Sequence, residues 1–182
     1  MSKYLDQLTS FLIQNYEITI TSYFIIQSFD HSKLLRMEIK ENGFIFSDDR
    51  NLVDVKAVHH YLSTQSYWAK DIPFELVQKS IANSLCFGIY KDQQQVGFAR
   101  WITDRATFAY LCDVYAAEEF RGLGLSKKLM SLMLFHPDLQ GLRRYQLATL
   151  DAHGLYEQFG FKELENPERQ MAIVFQNLYS KD

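Results

Sequence analysis

Apolar positions along this 182-residue chain recur with a period that switches between helix and strand. Residues 2–15 set Tyr4, Leu5, Leu8, Phe11 and Leu12 at helical spacing and predict an amphipathic helix. Residues 17–29 (EITITSYFIIQSF) and 34–47 (LLRMEIKENGFIFS) read as strands, with Asp30-His31-Ser32-Lys33 as a turn between them. Val53, Val58, Tyr61 and Leu62 belong to a further helix, and another covers 73–84 with Pro73 at its start, where a missing N–H is tolerated. Strands follow at 85–91 (LCFGIYK) and 95–103 (QVGFARWIT), joined by the polar run 91–95. Asp104-Arg105 turns the chain into a strand at 106–115 (ATFAYLCDVY). Leu125, Leu129, Leu132 and Met133 predict a helix from Gly124 to Phe135, which Pro137 stops. A strand at 145–151 (YQLATLD), a short helix closed by Gly160 and a last strand at 168–176 (ERQMAIVFQ) complete the pattern. The order β-α-α-β-β-β-α-β-α-β specifies an α/β fold with a mixed sheet.

The junction between the 106–115 strand and its helix reads Arg121-Gly122-Leu123-Gly124-Leu125-Ser126. Two glycines there let the backbone turn its N–H groups inward with no side chain in the way. Those donors and the positive end of the helix dipole suit a pyrophosphate. The stretch is not a dinucleotide fingerprint, because Lys127 stands where the third glycine belongs, and the chain contains no P-loop. By themselves the glycines favour the plainer reading, a turn that merely starts a helix. Downstream, 152–161 reads AHGLYEQFGF.

R-G-x-G-x-S followed by L-Y-E-x-x-G-F resembles the GCN5-related N-acetyltransferase (GNAT) superfamily, and the resemblance covers roughly residues 44–175. It implies a mixed central sheet with helices on both faces, with residues 46–182 as the acetyltransferase domain and 1–45 as an N-terminal extension packed on it. It implies acetyl-CoA as cosubstrate, its pyrophosphate cradled by Arg121, Gly122, Leu123, Gly124, Leu125 and Ser126. In that family the strands before and after the cradle helix splay apart around the pantetheine. The backbone N–H of Val114 or Tyr115 would polarise the acetyl carbonyl, and Thr149 stands near the cofactor where many members have Asn. Tyr156 takes the place of the tyrosine beside the CoA sulfur. The extension adds strands, covers the acceptor site or forms a homodimer contact, and the sequence does not choose among these.

Composition narrows the setting. Apolar residues make up 47% and charged residues 23%, as in a soluble globular protein. A net charge of −3 argues against a nucleic-acid partner bound by bulk electrostatics. Lys127 and Lys128 form a local basic spot beside the cradle, or solvated lysines on an outer helix face. Cys86 and Cys112 lie in apolar runs and read as free thiols of a reducing cytoplasm. The five histidines lack ligand spacing, so no metal site is expected. No signal peptide or membrane span is evident.

Acetyl transfer to an amine needs a neutral nucleophile, donors for an oxyanion and a proton for the departing thiolate. Tyr156 is the candidate acid, or a core aromatic beside Phe159 and Phe161. Asp113 is the candidate base, tuned by an apolar strand, or an exposed strand residue. Asp151 is a candidate cap of the last helix, and His153 faces either the site or solvent. Tyr67 and Trp68, between the first two helices, line an aromatic acceptor pocket or cap the core. With Asp71 and Asp113 nearby, that wall predicts a cationic amine with an apolar body. The function expected is acetyl-CoA-dependent N-acetylation of a small-molecule or peptide primary amine in the cytoplasm. The alternative is a non-catalytic acyl-CoA-binding sensor or interaction module on the same fold.

Overall fold

The computed structural model describes residues 37–175 together with 178 and 179. The helix expected at 2–15 and the strand expected at 17–29 lie outside the described residues. Strands β1 (Glu38–Glu41) and β2 (Phe44–Ser47) form an antiparallel hairpin, which corrects the reading of 34–47 as one strand. Asn42 and Gly43 both take left-handed backbone, with φ of 51° and 79°. A two-residue hairpin turn requires that conformation, and an Asn-Gly pair adopts it at little cost. The expected division of the chain at 45/46 falls inside β2, which also pairs with β3 (Leu85–Lys91).

Helices α1 (Val55–Thr64) and α2 (Phe74–Ala82) connect β2 to β3. Asp54 starts α1 by accepting hydrogen bonds from the N–H groups of Lys56 and Ala57. Strands β4 (Gln94–Thr103) and β5 (Phe108–Ala116) continue the antiparallel meander. After helix α3 (Leu125–Leu134), β6 (Arg144–Gln146) returns parallel to β5, and α4 (His153–Glu157) follows. Among the described residues, six strands lie in sequence order, β1 to β6.

Side-chain alternation splits the sheet into two faces. On one, Phe87, Ala99, Trp101 and Leu111 are buried against Leu129, Met130 and Met133 of α3. On the other, Cys86, Phe98 and Tyr115 pack under Val58 and Leu62 of α1 and Val77 and Ile81 of α2. Helices therefore cover both faces, as the family resemblance implies.

Two strand expectations change at the carboxyl end. The strand expected at 145–151 shortens to Arg144–Gln146, because the ladder with β5 stops at Tyr110 and Gln146. Beyond it the chain leaves the sheet, and the Leu150 N–H donates to the Tyr67 hydroxyl at 3.0 Å instead. The strand expected at 168–176 is absent from its described part. Pro167–Arg169 forms a 3-10 turn, and Met171 and Ile173 are 98% and 87% exposed. Alternation alone does not make a strand without a neighbour to complete its ladder.

A buried polar pin holds α3 to the hairpin. His136, just beyond α3, accepts the Asp138 N–H at Nδ1, so its proton sits on Nε2 and is donated to Asp48 Oδ2 at 3.0 Å. Asp48 Oδ1 accepts the Met37 N–H at 2.8 Å. Asp48→Ala strands both donors and is expected to lower stability by about 2–4 kcal/mol, read by urea denaturation.

Candidate active site

The site begins with an irregularity in β5. Phe98 pairs with Tyr115 and Arg100 with Cys112, so Asp113 and Val114 together oppose the single residue Ala99. Asp113 absorbs the extra residue with a left-handed φ of 55°. Such a bulge re-aims side chains and breaks the ladder locally. The break lies just past the point where β6 stops pairing with β5, so the two strands part. A cavity of about 940 Å³ opens there. Val114 on β5 forms part of one wall, and Thr149 and Tyr156 form part of the other.

The bulge also decides what surrounds Asp113. The apolar surroundings expected from the sequence are not there. Arg100 Nε donates to Asp113 Oδ2 at 2.5 Å, and Trp68 Nε1 donates to Oδ1 at 3.1 Å. Both side chains of the ion pair are largely buried, at 14% and 8% exposure. Asp113 is thus neither an exposed strand residue nor a carboxylate among hydrocarbons. Each of its oxygens accepts one hydrogen bond and keeps further lone-pair capacity toward the cavity.

Tyr156 is both a core aromatic and a cavity residue. Its ring meets Phe161 edge-on at 6.0 Å, and it lines the cavity. Burial first, then the nearby Tyr67 and Asp151, push its phenol up to about 12, so it stays protonated at neutral pH. Tyr67 and Trp68 line the same cavity, set edge-to-face at 4.9 Å. Thr149 lines it too, and its hydroxyl accepts the Ala152 N–H at 3.1 Å. The N-cap of α4 is Ala152, with no side-chain cap bond, which corrects the assignment of Asp151 as the cap. Tyr115 does not line the cavity: its ring is buried and stacked on Tyr61 at 3.7 Å, leaving only its backbone for the site. His153 and Asp71 are exposed and outside the cavity lining.

The glycine junction lies beyond the end of β5, outside the lining of this cavity. Gly122 and Gly124 take φ of 77° and 73°, and a Cβ at either would meet nothing within 4 Å. Their conformation, not crowding within the protein, selects glycine. The space beside them is open, and the first N–H groups of α3 have no intrahelical partner. Lys128 engages Glu41 of β1, so it is tied to the hairpin instead of lying free in solvent.

Sequence reasoning missed Arg100. Its signal is a charged residue inside the apolar run of β4, which can be buried only with a partner. It also missed Tyr110, Cys112 and the α2 residues Lys79 and Ser80 on the cavity wall. Burial pushes the thiols of Cys86 and Cys112 up to about 11, so neither is a thiolate at neutral pH.

A model of the acetyltransferase (GNAT) family matches residues 55–161, from the start of α1 through the α4 region. The chain belongs to the GNAT acetyltransferase family. A Gibberella zeae protein assigned to the acetyltransferases is 32% identical over 143 residues, covering 66% of this chain and 80% of its own. A crystal structure of a GNAT-family protein from Xanthomonas campestris pv. campestris, also assigned to the acetyltransferases, is 50% identical with a TM-score of 0.75. It covers 78% of this chain and 100% of its own. A Staphylococcus aureus structure shares the fold at 20% identity and a TM-score of 0.56, covering 72% of this chain and 99% of its own. Among the described residues of this GNAT enzyme, no helix is long and apolar enough to cross a membrane.

The buried pair carries a stability prediction. Arg100→Gln leaves the Asp113 carboxylate uncompensated and is expected to cost about 3 kcal/mol. The double variant Arg100→Gln/Asp113→Asn removes both charges, keeps a residue that tolerates left-handed backbone, and should recover most of that loss. Denaturation of both variants in urea measures the difference.

Proposed function

We propose that this enzyme transfers an acetyl group from acetyl-CoA to a primary amine bound in the β5–β6 cavity. The observation that carries the reading is the parting of β5 and β6 at the Asp113–Val114 bulge, with the Tyr156 phenol on the opposite wall. The residues present fit the cosubstrate. The open space beside Gly122 and Gly124, at the N-terminus of the ten-residue α3, suits a pyrophosphate. The backbone of Arg121, Gly122, Leu123, Gly124, Leu125 and Ser126 would hold it, with Thr149 flanking the acyl end. When bound, acetyl-CoA supplies the acetyl group as an activated thioester.

The protein groups then divide the work. The backbone N–H at Val114 or Tyr115 stabilises negative charge on the carbonyl oxygen. Asp113, aimed by Arg100 and Trp68, accepts the amine's N–H and takes up its proton. Tyr156 holds a proton at its hydroxyl for the departing sulfur, and its raised pKa keeps that proton in place until then. Tyr67 and Trp68 form the aromatic side of the acceptor pocket.

Gly124→Ala places a methyl group in the space where the pyrophosphate is held. It also forces a side chain into left-handed backbone, which costs about 1–2 kcal/mol. Acetyl-CoA affinity, read by calorimetry well below the variant's melting temperature, should be lost. Unchanged affinity refutes the cradle.

Tyr156→Phe keeps the ring and removes the proton, so kcat should fall by about 10²–10⁴-fold with acetyl-CoA affinity retained. Because the phenol is held up at about 12, wild-type kcat should show no decline as pH rises through the ordinary tyrosine value of 10.0. A pH–rate profile where chemistry limits turnover checks this.

A further inference from the structure

A line of hydrogen bonds crosses the face of the sheet that carries α1 and α2. Arg100 Nη1 donates to Ser84 Oγ at 3.1 Å, Arg100 Nε to Asp113 Oδ2, and Trp68 Nε1 to Asp113 Oδ1. A guanidinium has five N–H donors. Ser84 and Asp113 take one each, and Nη2 has no partner among the described residues. The Arg100 side chain is only 14% exposed, and it lines the cavity. Unspent donors on a largely desolvated cation favour an acceptor arriving from the cavity.

Helix α2 adds a second cation to the same wall. Leu76, Lys79, Ser80 and Asn83 follow helical spacing and line the cavity from one stripe. Lys79 is exposed and has no ion pair among the described residues. Neither cation is needed to offset the carbonyl end of α2. Arg50 does that, donating from Nη1 to Ala82 O and from Nη2 to Ser84 O, both at 2.8 Å. Lys79 and Arg100 stand on the wall with Asp113, and the other carboxylate of the lining, Asp151, lies beside Tyr156 on the segment after β6. Asp71, which would have drawn a cationic acceptor, is outside the cavity lining.

We propose, resting on the reading of this cavity as the acceptor site, that the acceptor amine also carries an anionic group, a carboxylate or a phosphate. Arg100 and Lys79 hold the anion while Asp113 faces the amine. Arg100 and Asp113 touch, so the two ends of the acceptor are joined by a short spacer. Ile72, Leu76 and Tyr110 give that spacer apolar contact. The planar fork of arginine matches either anion.

The test uses β-alanine and γ-aminobutyrate as carboxylate probes, phosphoethanolamine as the phosphate probe, β-alaninamide as the neutral probe and putrescine as the dication. Each is measured twice with the full-length enzyme: by calorimetric binding without cofactor, and by CoA release with acetyl-CoA. An anionic probe is expected to bind about tenfold or more tightly than β-alaninamide, as charge-assisted hydrogen bonds predict. Whichever anionic arm wins identifies the source of the charge. Lys79→Glu changes an exposed residue, so its melting should match wild type, and it should cut the anion preference by about tenfold. Anion binding that depends on Lys79 without any CoA release would keep the anion site and remove the acetyl-transfer reading. Binding of no probe, equal or better binding of the amide or putrescine, or an anion preference untouched in Lys79→Glu would overturn the proposal.

Discussion

A buried arginine in the middle of β4 constrains much of this molecule. Arg100 emerges on the sheet face that α1 and α2 cover, where an unpaired guanidinium would be prohibitively costly. Its partner comes from the neighbouring strand, and only because β5 is bulged. A regular β5 would set Asp113 on the opposite face from Cys112. The left-handed turn at Asp113 breaks that alternation and lets its carboxylate meet Arg100. Left-handed backbone costs a non-glycine residue about 1–2 kcal/mol, less for aspartate.

The same bulge links the ion pair to the cavity. Two residues against one interrupt the β4–β5 ladder, and β6 stops pairing with β5 three positions earlier, at Tyr110. The wall opposite is then held by bonds that are not strand bonds. Tyr67 takes the Leu150 N–H and Thr149 takes the Ala152 N–H, so residues 147–150 are held without joining the sheet. Trp68 closes the circuit from the α1–α2 loop back to Asp113. The site is therefore assembled from β4, β5, the α1–α2 loop and the segment after β6, each tied to another by a named polar contact.

Much of the architecture was legible in the chain. The helices over 55–64, 74–82 and 125–134 follow the apolar spacing, and β3, β4 and β5 follow the β-branched and aromatic runs. These elements bury the faces their sequences mark, so local pattern and tertiary packing agree. The Asn42-Gly43 reversal was present as a turn signal but masked by the apolar residues on both sides. The segment after Pro167 alternates like a strand, yet no neighbouring strand completes its ladder in the described structure.

The sequence by itself determined the α/β order, the two glycines before α3 and the tyrosine that follows them on α4. These are local properties: a left-handed turn favours glycine, and a helix face needs apolar residues at its own period. Tertiary structure alone decided the partners. That Arg100 would reach Asp113, that Trp68 would donate to the same carboxylate, and that Lys79 would share their cavity depend on residues far apart in the chain. A bulge shifts strand register and reverses which way a side chain points. No periodicity within one strand encodes it, because the neighbouring strand supplies the register against which it is counted.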